Sequence, residues 1–264
     1  MMRMARLLIA LALLLPIGAP FAEDIVILST RAGVTQSYLL ASPPAGAVRA
    51  VAVLFPGGAG TIDLEREASR ALLDRGNFLV RSRRLFTGSG VAAAVMDAPS
   101  DRPRGMEDRF RLGDAHAEDI GRVVKDLKSR FPGLPVFLVG TSRGTLSAAS
   151  AGRWLGRDAD GVVLTAAVLL STKRDPGLSG FDFASITVPL LFVHHVDDGC
   201  GPSPYSAASS LADRYPLISV SGGLPAKSKP CEAMSAHGFL GREAETVDAI
   251  AKWMLKQSHP REIH

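Results

Sequence analysis

Val136-Phe-Leu-Val-Gly-Thr-Ser-Arg-Gly-Thr-Leu-Ser-Ala-Ala-Ser150 decides how the rest of the chain is read. The apolar run Val136 to Val139 predicts a buried strand. Gly140-Thr141-Ser142-Arg143-Gly144 predicts a tight turn, and the small residues after it suit a buried helix. One serine stands at the turn. Gly140 and Gly144 leave room where a Cβ would clash, and a strained backbone at Ser142 would push its hydroxyl out of the sheet. The competing reading is a glycine-bounded turn with an idle serine. The two are separated by whether the chain supplies the partners that a reactive serine needs.

Upstream, Asp24–Ser29 and Gln36–Ala41 read as two short strands around a turn at Arg31–Gly33. Ala50–Phe55 and Val91–Met96 are continuous apolar runs, as expected of strands buried on both faces of a parallel sheet. Helical spacing marks Leu64–Leu73, a short segment over Asn77–Leu85, and Asp114–Arg130, where Ile120, Val123, Val124 and Leu127 share a face. Ser100–Arg111 reads as a charged loop. Downstream, strands are expected at Gly161–Leu170, Val188–Val193 and Leu217–Val220, and helices from the turn to Trp154, at Tyr205–Arg214 and at Glu243–Lys256. His259 and His264 fall in an expected tail. Buried strands alternating with helices predict an α/β fold: a mostly parallel central sheet with helices on both faces. No repeat, linker or low-complexity tract divides residues 23–264, which read as one domain.

A serine hydroxyl is a weak nucleophile at neutral pH. It needs a base, and the base needs an orienting acid. Pro189-Leu-Leu-Phe-Val-His-His-Val-Asp-Asp198 is a buried strand ending in two acids, and catalytic groups in open α/β sheets gather at the carboxyl ends of strands. Either Asp197 or Asp198 can orient a histidine. His237, on a loop and followed by Gly238, is the candidate base; His194 and His195 are alternatives, at a strand end where packing often explains a histidine. His116 precedes the serine. A developing oxyanion needs two backbone donors. The N–H of Arg143 is one candidate, and the loop Pro56-Gly-Gly-Ala-Gly60, best at Gly58, supplies the other. No Lys-Ser/Thr pair follows that loop, so it does not read as a phosphate loop.

The N-terminus has a basic start at Arg3 and Arg6, an apolar stretch over Leu7–Leu15, and Ala19-Pro-Phe-Ala22 as an expected cleavage site. It reads as an export signal over residues 1–22. The full chain carries 30 Lys and Arg against 26 Asp and Glu, a formal charge of +4, which drops by the two arginines on cleavage. That balance, with no aromatic-basic stripe and no basic amphipathic helix, argues against nucleic-acid binding or membrane attachment. A hydrophobic content of 47% fits a globular domain. In an exported chain the cysteine pair Cys200 and Cys231 is expected as a disulfide, stabilising by roughly 3–4 kcal/mol. Neither cysteine sits at a metal-ligand spacing, and no metal or cofactor is expected. The bridge would tie the acid loop to the histidine loop.

Taken together, the chain resembles the α/β-hydrolase superfamily. Pro56–Gly60 resembles its oxyanion loop, often His-Gly-Gly-Gly in esterases, with Pro56 in place of the histidine. Gly140–Gly144 is similar to its nucleophile elbow. His194-His-Val-Asp-Asp198 with Pro202 resembles the pattern His-Gly-x-x-Asp-x-x-x-Pro, which points to Asp198, although His195 stands where glycine is usual. His237-Gly-Phe before the last helix is similar to the histidine loop. The resemblance implies a serine hydrolase of carboxylic esters: Ser142 as nucleophile, His237 as base, Asp198 as acid, and Gly58 and Arg143 as oxyanion donors. Peptides or amides as substrates, and an inactive binding protein on the same fold, are the alternatives. Family members often insert a lid after the strand at Gly161. Here only the 17 residues Ser171–Thr187 intervene, so no large cap is expected. Arg81, Arg83 and Arg84 read either as a site for a substrate carboxylate or as a solvated basic face, and Arg143 as a residue facing the cleft.

Overall fold

Apolar runs with no polar face must be covered on both sides, and this requirement shapes the architecture. In the computed structural model, residues 22–44, 46–64, 73–74 and 76–264 are described. Apart from Ala22, the expected export signal lies outside them, as does most of the helix expected over Leu64–Leu73.

The strands are β1 (Ala22–Arg31), β2 (Val34–Ser42), β3 (Ala50–Phe55), β4 (Val91–Met96), β5 (Val136–Thr141), β6 (Gly161–Thr165), β7 (Leu190–His195), β8 (Leu217–Val220) and β9 (Glu262–Ile263). They form one sheet in the order β1-β2-β4-β3-β5-β6-β7-β8-β9. β1 and β2 form an antiparallel hairpin, and β2 pairs antiparallel to β4. From β4 across to β9 every pairing is parallel. The helices are α1 (Phe78–Arg81), α2 (Arg83–Gly88), α3 (Asp108–Arg111), α4 (Asp114–Arg130), α5 (Gly144–Leu155), α6 (Tyr205–Ser209) and α7 (Glu243–Met254).

Side chains alternate across a strand, so one apolar run serves two cores. Val51, Val53 and Phe55 of β3 pack with Ile120, Val123 and Leu127 of α4 and Leu146 of α5. Ala50, Ala52 and Leu54 face the other way, into a core shared with Phe78, Leu79, Phe86, Val247, Ile250 and Met254. Helices therefore cover both faces, with no large cap between β6 and β7. That connection holds a single 3-10 turn, Phe183–Ser185.

Five features differ from the sequence reading. β6 stops at Thr165 because Ala166 turns to φ +44°, so the run to Leu170 is not one strand. α6 ends at Ser209, where the hydroxyls of Ser209 and Ser210 bond to the carbonyls of Ser206 and Ala207 and compete with the helix ladder. The segment over Asn77–Leu85 is two short helices broken at Ser82, and the charged loop contains α3. The expected tail ends in β9, parallel to β8.

Candidate active site

β5 delivers Ser142 to the carboxyl edge of the sheet at φ +52°, a left-handed conformation that is costly for a residue with a Cβ. Its N–H donates to Thr165 O on β6 (3.0 Å), and its carbonyl accepts from Thr145 Oγ1 (2.6 Å). The flanking glycines are required by close approach. A Cβ on Gly144 would lie 2.0 Å from Phe55 O, and one on Gly140 would lie 2.4 Å from Gly144 O. Ser142 is half-buried.

β7 delivers the acid. Asp198 is buried, and its Oδ2 accepts from His237 Nδ1 at 2.8 Å. Its Oδ1 accepts from the Cys200 N–H at 2.9 Å. His194 Nε2 gives its hydrogen to Ser203 O (2.8 Å) and lies 3.4 Å from Asp198 Oδ2. Burial alone would raise the Asp198 carboxyl; the His194 ring beside it, the hydrogen bond from His237 and the Cys200 N–H outweigh it and hold the group at about 2. Asp197 is exposed, and among the described residues its carboxylate has no hydrogen bond; its N–H donates to His195 Nδ1. His195 Nε2 meets Gly222 O, so packing accounts for this ring.

His237 sits on the 3-10 turn Ala236–Gly238, capped by Ser235, whose hydroxyl accepts from the His237 N–H and donates toward Pro230 O and Glu232 O. Gly238 is required there, since a Cβ would meet Ala233 O at 1.9 Å. A carboxylate only accepts, so the Asp198 bond places the hydrogen on Nδ1 and leaves Nε2 with its lone pair. Neither His237 Nε2 nor Ser142 Oγ has a hydrogen-bond partner among the described residues, so the two are not bonded to each other. Such contacts are often long before substrate binds.

The loop after β3 packs directly on the serine. A Cβ on Gly57 would lie 2.8 Å from Ser142 Cβ and 3.2 Å from Asn77 Nδ2. Gly58 has φ +60°, and Gly60 N closes the turn on Gly57 O. The N–H groups of Gly58 and Arg143 have no acceptor among the described residues. The Arg143 side chain is turned onto buried Asp108 (2.6 and 2.7 Å) rather than left free for the cleft. A cleft of about 780 Å³ opens beside Ala59 and Arg143, walled by Arg102, Met106, Arg109 and Phe110.

The three arginines read as a carboxylate site are committed within the chain. Arg81 bonds Glu243 and the Gly238 carbonyl (2.9 and 2.6 Å), Arg83 bonds Glu23 and Asp74, and Arg84 bonds Glu23. Two of them are nearly buried, so the segment is not a solvated face either. It is a bridge: Asn77 lies by Ser142, Phe78 stacks on Phe239 at 4.8 Å, and Arg81 holds the histidine turn.

Cys200 and Cys231 form a disulfide, joining the acid loop to the segment before His237. Asp198, Cys200 and His237 converge closely enough to suggest metal ligands, but a disulfide sulfur is no thiolate, so the donor set does not suit a metal. Sequence reasoning missed a buried polar group behind the glycine loop: Arg111, His116 and Ser147. No helix among the described residues is long and apolar enough to cross a membrane.

No family model and no curated protein matches the sequence. Solved structures do match in shape. Est1E from Butyrivibrio proteoclasticus aligns at 16% identity over 88% of this chain and 98% of its own, with a TM-score of 0.61. XC6422 from Xanthomonas campestris, described as an α/β serine hydrolase without lid, aligns at 13% identity over 90% and 95%, with a TM-score of 0.60. The esterase domain of a Rhodothermus marinus protein aligns at 16% over 89% and 99%, with a TM-score of 0.58. With this sheet order and the short connection after β6, the chain has the α/β-hydrolase fold without a large cap.

Proposed function

We propose that the protein is a serine hydrolase that cleaves carboxylic esters through an acyl-enzyme, with Ser142, His237 and Asp198 as its triad. The observation that carries this reading is the 2.8 Å Asp198–His237 bond, which leaves a basic Nε2 free, on the same sheet edge as a serine held at φ +52°. A left-handed backbone at a residue with a Cβ costs energy and is enriched at active sites, which favours a functional serine. The esterases and serine hydrolases among the structural matches support the same class.

In this mechanism Ser142 Oγ attacks the ester carbonyl as His237 Nε2 takes its proton. Asp198 keeps the ring oriented and stabilises the imidazolium. The oxyanion accepts from the N–H groups of Gly58 and Arg143, each worth on the order of 10²–10³ in rate. As the intermediate collapses, His237 returns the proton to the leaving alkoxide. Water then repeats the sequence on the acyl-serine. The cleft beside Ala59 and Arg143 gives one side of the substrate room without a lid. Export is part of the proposal, supported by the disulfide and the basic-apolar start of the chain.

Turnover of p-nitrophenyl esters of graded chain length tests the class, with aminoacyl amides alongside. The wild type should hydrolyse short esters, and Ser142→Ala should lose all measurable turnover while keeping its melting temperature. Activity surviving in Ser142→Ala contradicts the proposal.

A further inference from the structure

Arg111 lies at the end of α3 with only 1% of its surface exposed. A guanidinium that deep ordinarily faces a carboxylate. This one does not: among the described residues it forms no ion pair. Asp108, the acid near it, is engaged by Arg143 and by the Gly177 N–H. Arg111 instead donates to three neutral oxygens. Nη2 bonds Gly58 O at 3.1 Å, Nη1 reaches Pro56 O at 3.5 Å and Ser147 Oγ at 3.0 Å, and Nε has no partner. Two of those three oxygens belong to the glycine loop and the third to the elbow helix α5. Gly60, at φ +80°, lets the loop lie against the guanidinium: a Cβ there would sit 2.4 Å from Nη2.

No other group in the pocket pairs with the guanidinium among the described residues. His116 Nε2 lies 3.0 Å from Ser147 Oγ, the same oxygen that accepts from Arg111. Burial first, then the charges of Arg111 and Arg31, hold His116 down at about 3, so it is neutral at physiological pH. Burial and the charge of Arg143, opposed by Asp108, bring Arg111 down to about 9, which still leaves it a cation there.

We propose that Arg111 is the positioning residue of the oxyanion hole: it grips the carbonyls of Pro56 and Gly58 so that the Gly58 N–H faces Ser142, and it places a buried, unneutralised positive charge behind the loop where negative charge develops. The proposal rests on the serine-hydrolase reading. Fixed charge in a water-poor site needs no reorganisation as the reaction proceeds, so it acts on the transition state more than on the bound ester.

The test compares wild type, Arg111→Met and Arg111→Lys with p-nitrophenyl butyrate. It also measures inhibition by an alkyl trifluoromethyl ketone, which forms an oxyanion adduct on serine, and by the matching methyl ketone, which serves as the ground-state analogue. Arg111→Met should lower kcat by on the order of 100-fold, with KM within about threefold. Affinity for the trifluoromethyl ketone should fall by the same factor as kcat, and affinity for the methyl ketone should stay within about threefold. Arg111→Lys keeps the charge but not the double grip and should lose about tenfold in kcat and trifluoromethyl ketone affinity alike. Should the methionine variant fail to fold, the lysine variant reads the same ratio. A folded variant with wild-type kcat overturns the proposal. So does a loss shared equally by KM and both ketones, the signature of a merely structural arginine. A wild type that neither turns over ester nor takes a fluorophosphonate label overturns the underlying serine-hydrolase reading instead, which separates the two failures.

Discussion

Ser142 pays for its exposure in backbone conformation, at about 1–2 kcal/mol for a left-handed residue with a Cβ. Ser142→Ala and Ser142→Gly both remove the hydroxyl, but only glycine relieves φ +52°. The glycine variant should be the more stable of the two by about 1 kcal/mol in urea unfolding; equal stability would mean that the turn is unstrained. Asp197 and Asp198 are neighbours with opposite placements, one exposed and one bonded to His237. Asp198→Asn should lower kcat by on the order of 10⁴-fold, since it disturbs the histidine tautomer, and Asp197→Asn by less than about threefold. His116 provides a pH signature. Folded, it stays neutral down to about 3; unfolded, it protonates below its ordinary value of 6.5. Its contribution to stability is therefore complete above pH 6.5 and is lost as pH falls toward 3. His116→Gln should narrow the stability gap to wild type by about 3 kcal/mol between pH 7 and pH 4, measured by chemical unfolding. A constant gap would place the histidine in a solvated site.

The elements follow from pattern where one interaction dominates. β3, β4 and β8 and α4 lie where apolar runs and helical spacing place them, because burial on the sheet is their main constraint. Pattern fails where side chains compete with the backbone. The serines after Tyr205 cut α6 short, Ala166 ends β6 within an apolar run, and β9 is too short to carry a period. The disulfide joins two such irregular segments. Its Cys200 also supplies the N–H that holds Asp198 Oδ1, so the bridge serves the acid as well as the fold. Reduction, or the paired Cys200→Ser and Cys231→Ser change, should cost about 3 kcal/mol and lower kcat more than it raises KM. Unchanged kcat in the folded reduced protein would show that the acid loop holds its own geometry.

Across the whole molecule, the parallel arrangement of β3, β5 and β7 brings the glycine loop, the elbow and the acid to one edge of the sheet. The α1 bridge and the turn before α7 bring His237 to the same edge. The candidate residues Gly58, Ser142, Asp198 and His237 were legible because each sits in a short motif whose glycines or strand ends mark it. The choice between Asp197 and Asp198 was not legible from the strand alone, since both end the same apolar run. Arg111 was invisible for a different reason. It belongs to a charged stretch with no period, and the carbonyls it holds lie more than 50 residues earlier in the chain. The arginines of the Arg81–Arg84 segment misled in the opposite direction, because the Glu23 and Glu243 that engage them are distant in sequence. The central claim is that this edge activates one serine. Treating the protein with a fluorophosphonate and mapping the adduct by peptide mass spectrometry tests it most directly. The account predicts a single adduct on Ser142, formed far more slowly in Asp198→Asn. No adduct, or one on another serine, contradicts it.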